Sequence, residues 1–242
     1  MIIGITEAGD ASLDYAWLNK IDKCNGVILI TKNITDHFIS AVLPYKHKIM
    51  LHATCTGMGG TVIEPNVPDY KQQLAQVSKL INAGFPANQI IVRVDPIVPT
   101  PKGLATAQKV IDASPVRHFR FSILDTYPHV RERFKACGIT PPYGESFQAS
   151  TEQFKLLKAW LSQQLPTDTF ECCAENELAN MPNVNAVGCV SENDIKTLGL
   201  ILDNTYQTGI QRKSCRCLSC KTELLNHKQR CPHGCLYCYW KD

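Results

Sequence analysis

The sequence predicts an α/β protein: a full or partial parallel β/α (TIM-like) barrel with a cysteine-rich C-terminal tail. Three observations point there. Short β-rich runs alternate with amphipathic helical segments, which implies parallel strands joined by right-handed crossovers. Several runs, such as Val27-Ile28-Leu29-Ile30 and Ile90-Ile91-Val92, are apolar without alternation, as strands buried on both faces must be. Six strand candidates precede Ala174, with further patterned chain after them, which suits a barrel better than the alternative, a doubly wound open sheet.

The strand candidates are Ile2–Thr6, Gly26–Thr31, Lys48–Cys55, Gln89–Ile97, His118–Leu124 and Thr169–Cys173. Asp10–Ile21 is a short helix candidate after the first of them. Asp69 can cap a helix with Leu74, Val77 and Leu80-Ile81 on one face, closed by Gly84. Leu104–Ala113 and His129–Cys137 carry shorter helical patterns. Ser150-x-x-Gln153 is a capping box ahead of Phe154, Leu157 and Leu161. Ser191 can cap a helix carrying Ile195, Leu198 and Leu202. The pattern gives way near Asp203–Lys213, so a core over 1–210 and a tail over 211–242 are expected.

The chain has 242 residues, 44% of them hydrophobic and 19% charged, with a net charge of +3. It can bury a core without cross-links, and it is neither disordered nor collagen-like. No run approaches the ~18 apolar residues of a membrane span. The start, Met1 to Glu7, lacks the basic region of a signal peptide. A cytoplasmic location without membrane contact is therefore expected, where the twelve cysteines read as metal or redox groups rather than disulfides. Six of them, Cys215, Cys217, Cys220, Cys231, Cys235 and Cys238, fall in the tail. The tail is also basic, with Arg212, Lys213, Arg216, Lys221, Lys228, Arg230 and Lys241 against Glu223 and Asp242. Such cations either attract phosphates or soften the charge of an anionic thiolate–metal cluster.

In a parallel β/α barrel the chemistry gathers at the C-terminal ends of the strands. There the sequence places Thr31-Lys32-Asn33, Cys55-Thr56-Gly57, Asp95-Pro96-Ile97, Asp125-Thr126-Tyr127 and Cys173-Ala174-Glu175. Five polar strand ends in register suggest an active-site rim.

The sharpest motif is Cys231-Pro-His-Gly-Cys235-Leu-Tyr-Cys238. Three thiolates at this spacing can hold three irons of a 4Fe–4S cube and leave one iron open. That open iron is what S-adenosylmethionine (SAM) needs, a cofactor that carries radical chemistry. Gly234 permits the tight loop. His233, inside it, reads as a ligand or donor to bound SAM, or as a residue that is solvated or bonds a backbone carbonyl. Zinc is the competing occupant, since Cys215-x-Cys217-x2-Cys220 with the motif cysteines could supply a four-cysteine ribbon.

With these motifs in place, the chain resembles an uncharacterised bacterial family known only as a domain of unknown function, with a cysteine motif like that of radical-SAM enzymes. The pieces that carry the resemblance are Thr31-Lys32-Asn33, Glu64-Pro65-Asn66-Val67-Pro68, Arg93-Val94-Asp95-Pro96-Ile97, Ser122-x-x-Asp125-x-Tyr127, Cys173-Ala174-Glu175, Cys189, Cys215-x-Cys217 and the motif itself with Tyr239. It departs in having Thr6-Glu7-Ala8-Gly9-Asp10 where the family has a basic stretch, and in adding Cys220. The resemblance implies a circularly permuted radical-SAM barrel, because ordinary members carry the three-cysteine loop after the first strand. Residues around Lys221–Arg230 would then supply a strand beside Ile2–Thr6.

The roles follow from that resemblance. Cys231, Cys235 and Cys238 hold the SAM-binding 4Fe–4S cluster, and Tyr237 borders the adenine. Glu175 meets the SAM ribose or amino group. Asp95, Asp125, Tyr127 and Lys32 serve substrate binding or proton relay. Cys173, Cys189, Cys215 and Cys217 form a second site, a 4Fe–4S cluster or zinc, with Cys220 and Cys172 as substitutes. Cys24, Cys55 and Cys137 are packing cysteines. The expected activity is oxygen-sensitive hydrogen abstraction by a 5′-deoxyadenosyl radical, with an electron donor such as a flavodoxin or ferredoxin and a substrate that could be a nucleic acid or nucleotide. The alternative is a non-catalytic nucleic-acid-binding protein stabilised by zinc or a cluster.

Overall fold

In a computed structural model, residues 1–173, 175–202, 216–225 and 231–240 are described. Continuous apolar runs make the strands, and they pair in one eight-stranded parallel sheet of order β7-β6-β5-β4-β3-β2-β1-β8. The strands are β1 (Ile3–Ile5), β2 (Gly26–Thr31), β3 (Ile49–Thr54), β4 (Ile90–Arg93), β5 (His118–Phe121), β6 (Thr169–Cys173), β7 (Val184–Val187) and β8 (Lys221–Glu223). The helices are α1 (Asp36–Val42), α2 (Tyr70–Asn82), α3 (Pro101–Ala113), α4 (Pro128–Ala136), α5 (Thr151–Leu161) and α6 (Glu192–Thr197).

Alternate residues divide between the two faces of the sheet, as strand pleating requires. Val27, Leu29, Leu51, Val92, Phe119 and Phe170 join Leu74, Val77, Leu104 and Leu157 of the helices in the main core. On the other face Ile3, Ile5, Ile28, Met50 and Ile91 meet Val190, Ile195 and Leu218. The expected capping chemistry is present. Asp69 accepts the Lys71 and Gln72 amides at the start of α2, Ser150 and Gln153 form both halves of a capping box, and Gly84 takes a φ of +96° after α2, a region that suits glycine.

Of the full or partial barrel expected, the partial form stands and two other expectations are corrected. The sheet is not closed, because β7 and β8 are its two edges. They are four and three residues long. Among the described residues, the chain flanking them meets through isolated hydrogen bonds, such as Leu218 N to Val190 O at 3.2 Å, rather than a ladder. Asp10–Ile21 is not an α-helix but a turn and two short 3₁₀ segments, Ala16–Asn19 and Ile21–Lys23. Its inward bonds explain this: Asp10 accepts from Ser12, Thr31 and Lys32, and the Trp17 indole donates to Ala11 O. Cys137 is exposed rather than packed, whereas Cys24 and Cys55 are buried.

The reading also lacked α1, which Thr35 caps, and β7, whose Val-Asn-Ala-Val offers no apolar run. By contrast β8 pairs parallel with β1, Ile3 against Lys221 and Ile5 against Glu223, so residues near Lys221 do supply a strand beside the first one. Leu224 and Leu225 lie in the main core, so the described tail packs with the rest of the chain. The expected seam near Asp203–Lys213 lies outside the described residues. No helix among the described residues is long and apolar enough to cross a membrane.

Candidate functional site

The motif loop lies between the segments that follow β1 to β3 and helix α4. Gly234, at φ +64°, turns the loop so that its amide reaches Cys231 O at 3.2 Å, and places it against Pro65 and Asn66. Leu236 N donates to Ile63 O at 3.0 Å, and its side chain packs on Val130 and Phe134 of α4. From α4, Arg133 donates to Cys238 O at 2.6 Å.

His233 is buried, at 3% exposure. Its Nε2 lies 2.8 Å from Asp10 Oδ2 and its Nδ1 3.2 Å from Asn66 O, so both nitrogens face acceptors and are placed to donate. The carbonyl partner foreseen for His233 is there, with a carboxylate in addition. Asp10 is held below its ordinary range: burial raises it, but the His233 hydrogen bond and charge more than offset that.

A second bonded set centres on Glu64, which is fully buried. It accepts from Lys32 Nζ at 2.8 Å, from Thr56 Oγ1 at 2.7 Å and from the Tyr237 hydroxyl. Lys32 Nζ also reaches the Tyr237 oxygen at 2.7 Å. Burial alone would raise Glu64 and lower Lys32, yet their mutual charge holds Glu64 below and Lys32 above the usual range. Burial pushes Cys235 up to about 11, against the pull of Lys32. Tyr237 rises well above its ordinary value, by burial and then the Glu64 charge. The structure therefore joins two residues the sequence singled out separately, Lys32 and Tyr237, through one it did not rank, Glu64.

The other foreseen residues divide. Asp95 accepts from Ser122 Oγ at 2.5 Å and pairs with Arg93, and its charge acts on Lys32. Tyr127 packs on Phe147 and His129 beside the α4 cluster, a structural place. Glu175 Oε1 accepts from Ile123 N at 3.3 Å. Asp125 and Glu175 both act on Tyr143, whose hydroxyl is pushed up first by burial. That hydroxyl is buried and makes no hydrogen bond among the described residues. Tyr143 lies in a turn-rich segment, and nothing in its local pattern marks it.

A second group of thiols lies where the two sheet edges meet. Cys173 Sγ and Cys189 Sγ are 3.8 Å apart, and the Cys189 amide donates to Cys217 Sγ at 3.0 Å. The hydrogen bond between the first two lowers the Cys189 thiol well below its ordinary range and raises that of Cys173. Cys215, the fourth expected ligand, lies outside the described residues. Cys55 and Cys172 are each pushed up to about 12 by burial, which suits inert packing thiols.

Among the described residues, no three of Cys, His, Asp and Glu already stand at metal-ligand spacing. The motif donors nonetheless fit an iron–sulfur cluster in kind: three half-buried thiols in a loop turned by Gly234, with the Lys32 cation acting on Cys235. Of the basic tail, Lys221 pairs with Glu7 at 2.8 Å and Arg216 reaches Ala186 O. Arg212, Lys213, Lys228, Arg230 and Lys241 lie outside the described residues.

A comparison with curated proteins finds no match to the chain. One family pattern, a domain of unknown function (DUF1848), matches residues 15–240. That span takes in the strand ends, both thiol groups and the motif loop, and the chain belongs to the DUF1848 family.

Proposed function

We propose that this protein is a radical-SAM enzyme whose catalytic cluster is held by Cys231, Cys235 and Cys238. The observation that carries the reading is where the motif loop sits: at the C-terminal ends of parallel strands, where β/α enzymes keep their chemistry. When bound, a 4Fe–4S cluster carrying SAM supplies the electron that splits the sulfonium to a 5′-deoxyadenosyl radical.

The residues of the chain do the rest. Asp10 and Asn66 hold His233, and so fix the first half of the loop. Glu64 and Lys32 hold the Tyr237 hydroxyl, and so fix the residue ahead of Cys238. Lys32 also offsets negative charge gathering at Cys235. Asp95, locked by Arg93 and Ser122, and Tyr143, with its free hydroxyl, are the groups placed to meet a substrate. Tyr143 stays protonated at neutral pH and is therefore a donor. A flavodoxin-like or ferredoxin-like donor would supply electrons.

The test is anaerobic purification followed by iron and sulfide analysis and reductive incubation with SAM. The expected result is about four irons per chain or more and 5′-deoxyadenosine, both reduced in Cys235→Ala. Iron-free protein that leaves SAM intact would refute the reading.

A further inference from the structure

We infer that Cys173, Cys189 and Cys217 bind a single zinc ion that clasps the open seam of the sheet. The second site foreseen in the sequence admitted a cluster or zinc, and the geometry separates them. With Zn–S near ~2.3 Å, two thiolates on one tetrahedral ion stand about 3.8 Å apart. Cys173 and Cys189 are already 3.8 Å apart; Cys217, brought beside them by the Cys189 amide, completes the set when the metal draws the three together, since no three described donors yet stand at ligand spacing. Thiolates on separate irons of a cube stand much farther from one another.

The backbone is built for the same purpose. Cys173 ends β6, Cys189 follows β7 and Cys217 precedes β8, so two of the thiols come from the paired strands β6 and β7 and the third from the β8 side, which no ladder joins to β7. A side chain on Gly188 would meet Cys217 N at 2.4 Å and its Cα at 2.5 Å. Only glycine lets these two backbones approach so closely. That approach brings the Cys189 amide onto Cys217 Sγ at 3.0 Å, a bond that favours thiolate over thiol. Arg120 donates to Cys189 O at 3.3 Å, and the Arg93 charge acts on both Cys173 and Cys189. Two guanidinium groups thus offset the negative charge of several thiolates on one divalent ion. Zinc has no redox chemistry of its own and suits a structural thiolate site.

This site uses none of the motif cysteines, so it stands or falls apart from the radical-SAM reading. The test begins with a variant in which Cys231, Cys235 and Cys238 are all Ala. The expected result is about one zinc per chain without sulfide, falling to background when Cys189→Ser is added. Should that last variant fail to fold, the folded triple variant is titrated with a mercurial while released zinc is measured. Release in step with modification of Cys173, Cys189 and Cys217, mapped by mass spectrometry, is the supporting outcome. Iron with sulfide on these residues, a Cys173–Cys189 disulfide, or a metal-free folded triple variant would each overturn the proposal. Absence of SAM cleavage in the native protein would leave it untouched.

Discussion

The interior face of the sheet and its C-terminal rim both bury charge, but they finish the job differently. On the interior face Arg120, at 2% exposure, has every direction filled. It donates to Glu171 at 2.9 Å, to both oxygens of Asp194 at 2.9 and 3.1 Å, to Cys189 O and toward His52 Nε2. At the rim, among the described residues, a buried Nε of Arg93 and the hydroxyl of Tyr143 have no partner. Buried polar groups are normally satisfied, and the exceptions call for an explanation. The difference is one of degree: the Arg120 guanidinium is saturated, although His52 Nδ1 beside it has no partner among the described residues, whereas the open atoms at the rim are donors that a ligand could meet.

The sharpest way to break this comparison is Arg120→Met. It strands Glu171 and Asp194, both fully buried, and removing one partner of a buried ion network costs about 3–5 kcal/mol. Denaturant unfolding should show that loss. A cost under about 1 kcal/mol would mean that the interior charges are not a structural unit.

The next effect is on pH dependence. Burial, then the Arg120 charge, lowers His52 from 6.5 to about 4. The unfolded chain therefore takes up the proton first as pH falls, and stability present above about 6.5 is lost progressively down to about 4. At 1.36 kcal/mol per pKa unit the full loss is about 3 kcal/mol. Burial raises Glu171, but His118 and Arg120 bring it from 4.5 down to about 2, so its contribution is lost only below about 4.5. His52→Leu should flatten the stability curve between pH 6.5 and 4 and leave the lower limb in place. An unchanged curve would contradict the assignment of a neutral, buried His52.

These contrasts also explain what could be read from the chain beforehand. Strands β2 and β6 have the same bounds in sequence and structure, because unbroken apolar runs and the turns around them are local signals. Strand β7 was silent, being four residues with polar Asn185 among them. The motif cysteines announce themselves by spacing. Asp10 and Glu64 do not, since their partners His233 and Tyr237 lie 223 and 173 residues away. Lys32 was visible only as a polar strand end, and its pairing depends on a loop after β3 and a tail after β8. Local chemistry shows in sequence, while the bonds that seat it are products of topology.

At the rim, Lys32→Met takes the cation from Glu64 but leaves Thr56 and Tyr237 as donors. Hydrogen bonds to charged groups contribute about 1.5–3 kcal/mol, so the stability loss should be smaller than at Arg120. The same change raises Glu64 toward neutrality, because Lys32 is the main influence lowering it. The pH dependence of unfolding in Lys32→Met should accordingly lose the part that titrates with Glu64. A loss as large as that of Arg120→Met would erase the distinction between the two regions.

Tyr237→Phe asks the same question with the smallest change. It removes one oxygen, which donates to Glu64 and accepts from Lys32, while the ring keeps its place against Leu236, Val130 and Phe134. Lys32 and Thr56 still satisfy Glu64, so the expected stability loss is about 1 kcal/mol. The Cys235 thiol should respond as well, because burial and then Lys32 set its pKa and the Tyr237 hydroxyl beside it also helps to hold it down. In metal-free protein, thiol labelling of Cys235 should change rate with pH along a profile moved to higher pH in Tyr237→Phe, with Cys137, exposed at the C-terminal end of α4, as the unaffected reference. A rim built only for packing would show the small stability loss and no shift at Cys235. A rim built to tune and seat the motif loop shows both.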